Sequence, residues 1–247
     1  MSADSHDDPA FHITHEAETG ESLLVGLSAF GLAGLTAVDY LTDQLELEPT
    51  GHITAEALPS ITPFSDGRPR HHTRLYSRPD LDVTVLVGEL FVPVQAAGPF
   101  SRAILEWTEH NAVGEVTVLS GIPVAHGPND HRPFYIATED YYDDRLADTE
   151  FTPMGMGFLD GVNASLVESG MDTDLGVGVF VTPVHAQIPD VDAALRLLAI
   201  VEEIYGLGVD TEPLEQFASE VRQHYAQLSE RVAAAEEYER PDDRMFM

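Results

Sequence analysis

Apolar and polar residues follow two rhythms along this chain, and each change of rhythm marks a predicted element. Residues 1–21 are polar, readable as a ragged arm or as a first edge strand. Leu23-Leu24-Val25-Gly26-Leu27 is a short apolar run ending in small residues, the pattern of a buried strand. It leads through Phe30-Gly31-Leu32-Ala33-Gly34 into a segment where Leu35, Val38, Leu41 and Leu45 recur at helical spacing. The unit predicted is strand, glycine turn, helix. His52 to Leu58 and Arg70 to Tyr76 read as strands, followed by turn chemistry at Ser77-Arg78-Pro79-Asp80.

The β-branched run Val83 to Val87 has the character of a central strand. A helix is predicted over Phe100 to Asn111, then strands over Glu115 to Leu119 and Phe134 to Ala137. Glu139 to Thr149 reads as an acidic loop, and Met154-Gly155-Met156-Gly157-Phe158 as a glycine-rich turn. Gly161 to Glu168 reads as a short helix and Leu175 to Val181 as a buried strand. Asp190 is placed to cap a helix whose Val191, Ala194, Leu195, Leu198, Val201 and Tyr205 share one face, and Gly206 and Gly208 end it. Strands alternating with helices of crossover length specify an α/β fold with a largely parallel or mixed sheet. No interior boundary or repeat interrupts it.

The last helical pattern differs in character. Thr211 can cap it, Pro213 suits its first turn, and Leu214, Ala218, Val221, Tyr225, Leu228, Val232 and Ala235 recur in steps of four and three. Such a seam packs either on the chain's own sheet or against another subunit. Pro241 ends it, leaving 240–247 as a tail that closes on Met245-Phe246-Met247. The expected organisation is therefore an arm (1–21), an α/β domain (22–210), a C-terminal helix (211–239) and the tail.

Charge changes the picture of the surface. Against 43 Asp and Glu stand 12 basic residues, all of them Arg, for a formal charge of −31. This balance reads as adaptation to very high salt, where the Debye length shrinks to about 3 Å and self-repulsion is screened. It argues against nucleic acid, because the one basic stretch (Arg68, Arg70, His71, His72, Arg74, Arg78) is short. No apolar run approaches the ~20 residues that span a bilayer, and 1–21 lacks a signal-peptide pattern, so the cytoplasm is the expected location. Without Cys there is no disulfide, thiolate nucleophile or thiolate metal ligand.

Candidate chemistry is sparse. The Gly26, Gly31, Gly34 spacing is neither a phosphate-binding P-loop nor G-x-G-x-x-G, and a tight strand-to-helix turn is use enough for the glycines. His71 and His72, if on a strand, face opposite ways, and His12 and His15 lack carboxylates to complete a metal set, so no metal or cofactor is expected. Ser120-Gly121 and Gly127 to His131 follow a strand, where α/β enzymes place catalytic groups, but no G-x-S-x-G elbow is present. The candidate crevice, at the carboxyl ends of the strands, comprises Gly31, Ser120, His126, Gly155 and Gly157.

Four stretches, in this order and spacing, resemble the proteasome assembly chaperone 2 (PAC2) family, in a halophile-type archaeal form. They are Leu24 to Gly34 with its following helix to Leu45, Val83-Thr84-Val85-Leu86-Val87-Gly88-Glu89, Val116 to Gly121, and Ile188-Pro189-Asp190-Val191-Asp192-Ala193-Ala194. The resemblance implies a three-layer, phosphorylase/hydrolase-like mixed sheet with helices on both faces, forming homo-oligomers without established catalysis. It also implies proteasome α subunits as partners. Met245, Phe246 and Met247 are similar to the C-terminal hydrophobic–Tyr–any-residue motif of proteasome activators, with Phe where that motif has Tyr. The first reading is thus a non-enzymatic chaperone or adaptor that binds through its tail; the alternative is a hydrolase or a small-ligand-binding protein using the crevice.

Overall fold

The computed structural model describes residues 10–56, 58–124, 131–185 and 188–224. Residues up to Val209 form one unit, and the segment from Asp210 onward a second. The first unit is built on an eight-stranded sheet, ordered β1-β3-β6-β7-β2-β8-β10-β9. Its strands are β1 (Phe11–His15), β2 (Ser22–Leu27), β3 (Glu48–Ala55), β6 (Thr73–Ser77), β7 (Val83–Gly88), β8 (Glu115–Ile122), β9 (Phe134–Ala137) and β10 (Gly176–Pro183). The separate β4 (Phe64–Ser65) and β5 (Arg68–Pro69) form a small hairpin.

The four central strands β7, β2, β8 and β10 are parallel, and the flanking pairs are antiparallel. Central position explains their composition: all of β7 and β10 and nearly all of β8 are buried, so they read as continuous apolar runs. Within the described part of the polar start, Phe11–His15 forms an edge strand, with Phe11 buried and His12 facing outward. Phe11 packs edge-on against Phe100 at 5.2 Å.

Helices cover both faces. α1 (Ala33–Gln44) packs on β2 and β8 and against α5 (Val191–Tyr205), which lies on β10. α2 (Val94–His110) and α4 (Gly161–Asp172) pack together on the other face, over a core of Leu23, Val25, Leu75, Leu86, Ile104, Val118, Leu166 and Val179. This is the three-layer mixed α/β fold expected. Asp190 caps α5, its carboxylate accepting from the Ala193 N–H at 2.9 Å, and Gly206 closes the helix in the left-handed region at φ 60°.

Two segments depart from the pattern reading. α2 starts six residues before Phe100 and runs through Pro99. Ala96, Ala97, Phe100 and Ile104 bury one stripe, while Gln95 and Pro99 face water, so the carbonyl that Pro99 leaves without its N–H donor is solvated. The acidic stretch after Thr138 is helical: α3 (Glu139–Tyr141) continues into a π turn (Tyr142–Leu146). Its anchor is Tyr141, 1 % exposed, whose ring lies where a side chain on Gly178 would be, 2.4 Å from the position of a Cβ there.

In the second unit a helix, α6, spans residues 212–224. Asp210 accepts from the Glu212 N–H at 3.0 Å, and the Thr211 carbonyl accepts from Glu215 at 2.9 Å, so both open the helix. The rest of the predicted seam and the tail, with Met245, Phe246 and Met247, lie outside the described residues. No helix among the described residues is long and apolar enough to cross a membrane.

Candidate functional site

Strand β2 passes its chain to α1 on one face, while β7 passes to α2 on the other. Loops that part in this way leave a crevice at the carboxyl ends of parallel strands. Here it is a cleft of about 630 Å³. Its floor is the β2–α1 turn (Ser28 to Leu32), Ser120 to Ile122 of β8 with the following Pro123, and Val181 of β10. Phe91, Phe158, Leu159, Asp160, Asn163, Ile188 and Pro189 complete the wall.

The floor depends on backbones in near contact. Gly31 sits at φ 66°, and a Cβ there would lie 2.7 Å from the Val184 side chain. A Cβ on Gly34 would lie 1.9 Å from the Leu119 carbonyl oxygen. The first turn of α1 therefore rests directly on β8, and no side chain fits between. Leu32 joins the turn to the helix in the left-handed region, φ 51°, a conformation that costs a branched residue about 1–2 kcal/mol.

One wall is held by a polar clasp at the start of α5. Asp190 donates its backbone N–H to the Gly31 carbonyl at 2.8 Å, and its carboxylate takes the His185 backbone N–H and ring Nδ1 at 3.1 and 2.9 Å. Burial raises this carboxyl, but the bonds from His185 and Ala193 and the charge of Arg196 outweigh it, and the acid is held below its ordinary range. Arg196 reaches back to Thr182 Oγ1 and the Pro183 carbonyl, fixing the end of β10.

Of the residues singled out in sequence, Gly31 and Ser120 line this cleft. Gly155 and Gly157 do not; the following Phe158, Leu159 and Asp160 reach it instead, and a Cβ on either glycine would meet open space. His126 lies outside the described residues. Phe30, Phe91 and Asp160 were not legible as site residues, since a lone aromatic or acid in a loop carries no periodic signal. Ser120 Oγ bonds to no base among the described residues, and no group of three His, Asp or Glu there could hold a metal ion. His71 and His72 precede β6 rather than lying on it, and His71 stacks on His52 with ring centroids 3.6 Å apart.

A second polar cluster sits at the opposite, amino-terminal edge of the sheet. Glu115 of β8, 9 % exposed, accepts from Ser22 Oγ (2.6 Å), Tyr205 OH (2.9 Å) and Arg145 Nε (2.8 Å). Thr117 Oγ1 meets the hydroxyls of Tyr141 (2.5 Å) and Tyr205 (2.7 Å). Burial pushes Tyr141 up to about 12 and Tyr205 well above its usual value, so both remain protonated. Every oxygen is occupied within the network, which ties α3, the π turn and α5 to the central strand.

The PAC2 family model matches residues 23–229. No protein of curated function matches the chain in sequence. Among solved structures, Pyrococcus furiosus PbaA, described as an archaeal homolog of proteasome-assembly chaperone, is similar at a TM-score of 0.81 and 19% identity over 96% of this chain and 100% of its own. P. furiosus PbaB, described as an archaeal proteasome activator, is similar at 0.78 and 17% over 90% and 99%. A Thermoplasma acidophilum protein of unknown function is similar at 0.74 and 20% over 92% and 93%. These likenesses establish a shared fold, and the family match spans nearly the whole α/β unit and the helix after it: the chain belongs to the PAC2 family.

Proposed function

We propose that this protein is a non-enzymatic proteasome-assembly chaperone or adaptor that engages proteasome α subunits. The family match over residues 23–229 carries the reading, and the fold shared with PbaA and PbaB supports it. In this reading Met245, Phe246 and the carboxylate of Met247 enter a pocket on the partner, a known mode of C-terminal recognition. Phe246 in place of Tyr forgoes one hydroxyl hydrogen bond, about 1 kcal/mol, and leaves aromatic burial and the carboxylate as anchors. Each tail then binds modestly, and a homo-oligomer presenting several tails recovers strength by avidity.

The test is affinity capture of α subunits from a native high-salt lysate, comparing the full chain with one lacking Met245 to Met247. The full chain should capture α subunits and the truncated chain should not, with melting temperature and light-scattering mass unchanged. Equal capture by both would overturn the tail mechanism. No capture by the full chain would overturn the chaperone reading itself.

A further inference from the structure

The cleft carries exposed aromatic surface on a strongly acidic protein. Phe30 on its floor and Phe91 on its wall are 57% and 62% exposed, and Phe158 is wholly exposed. Exposed apolar patches of this kind mark interaction sites. Charge then selects the guest. Among the described residues the lining holds one ionisable side chain, Asp160, and no Arg or His. Asp160 occupies the N-cap position of α4, yet its carboxylate accepts no capping bond from the helix. On the floor, Ser120 is 8% exposed and its hydroxyl has no partner among the described residues. Aromatic faces beside a carboxylate, with no cation among the described lining residues, suit a planar cation that stacks and donates.

We infer that the cleft is a docking site for an arginine side chain presented by an apolar-flanked segment of a partner protein. The guanidinium donates to the Asp160 carboxylate and the Ser120 hydroxyl while its plane lies on the phenyl rings, and the flanking apolar residues cover the remaining rim. About 630 Å³ holds such a side chain with its neighbours, within the range of roughly 300–1,000 Å³ usual for binding pockets. At contact distance, where molar salt screens least, the acidic surface around the cleft favours a basic partner over an acidic one. The site is independent of the tail proposed above to reach α subunits.

Isothermal titration of the full-length protein with the blocked pentapeptide acetyl-Leu-Phe-Arg-Phe-Leu-amide tests this, with the neutral citrulline and the glutamate peptides as comparators. The arginine peptide should bind about tenfold more tightly than the citrulline peptide, as a stacked and paired guanidinium warrants, and the glutamate peptide should not bind. Asp160→Asn should close the gap between arginine and citrulline, and Phe158→Ser should weaken both; these side chains are exposed, so melting temperature serves as the folding control. The chain lacking Met245 to Met247 should bind as the full chain does, which separates this inference from the tail mechanism. Equal affinity for arginine and citrulline, a gap that survives Asp160→Asn, or no binding at millimolar peptide would overturn it. Arginine amide binding as tightly as the pentapeptide would also overturn it, in favour of a small amine.

Discussion

Replacing Gly34 by Ala sets two effects of opposite sign against each other. Within a helix, Gly→Ala normally stabilises by about 0.5–1 kcal/mol, because alanine loses less backbone entropy on folding. At Gly34 the new Cβ would lie 1.9 Å from the Leu119 carbonyl oxygen and 2.6 Å from its carbon. Ordinary contact begins near 3.4 Å, so the first turn of α1 must retreat by the difference, 3.4 − 1.9 = 1.5 Å. The obstacle is the backbone of β8, hydrogen-bonded on both sides to β2 and β10, and it cannot turn aside as a side chain would. Overpacking of this kind costs about 1–3 kcal/mol, which exceeds the helical gain. The expected outcome is a net loss of about 1–2 kcal/mol, or roughly 2–8 °C in melting temperature for a chain of this size. Urea denaturation in high salt, with thermal melts alongside, measures it. Because the same turn floors the cleft, arginine-peptide binding should fall as well. A variant as stable as the parent, or more so, would refute the close-packed account of this turn.

Three further outcomes are expected. Tyr205→Phe removes a hydroxyl that donates to buried Glu115 and meets Thr117, and should cost about 1.5–3 kcal/mol by denaturant titration; an unchanged midpoint would mean the network does not stabilise the sheet edge. His15, His52 and His72 are held below their ordinary value chiefly by burial, with the His71 charge adding to the effect at His52 and His72. Their folded values lie below the unfolded ones, so their contribution is present above the unfolded pKa of about 6.5 and is lost as pH falls through the lowered values. Melting temperature should therefore decline from pH 8 to pH 5, and a rise over that window would refute the assignment. With 43 acidic residues against 12 Arg, melting temperature should climb from millimolar to molar KCl, and a flat profile would remove salt adaptation as the reason for this composition.

Sequence by itself determined the elements whose periodicity is driven by burial. β7 and β10 sit in the sheet centre, buried on both faces, so Val83 to Val87 and the run to Val181 could be read without neighbours. The cap at Asp190 and the stop at Gly206 are local chemistry, legible from a few residues. The carboxyl-end placement of Gly31 and Ser120 followed from their position at or after the end of a predicted strand in an α/β pattern. What only the tertiary structure decided depends on long-range contact. Tyr141 makes a helical turn out of an acidic stretch because Gly178, 37 positions away in sequence, leaves room for its ring. α2 continues through Pro99 because Ala96 and Ala97 find a buried face. The cleft joins Phe30, Phe91 and Asp160 from three connecting segments with Ser120 near the end of β8, and no spacing in the chain encodes that meeting. Periodicity reports which way a side chain faces; which residues it faces is settled only when the strands are ordered and the helices are docked upon them.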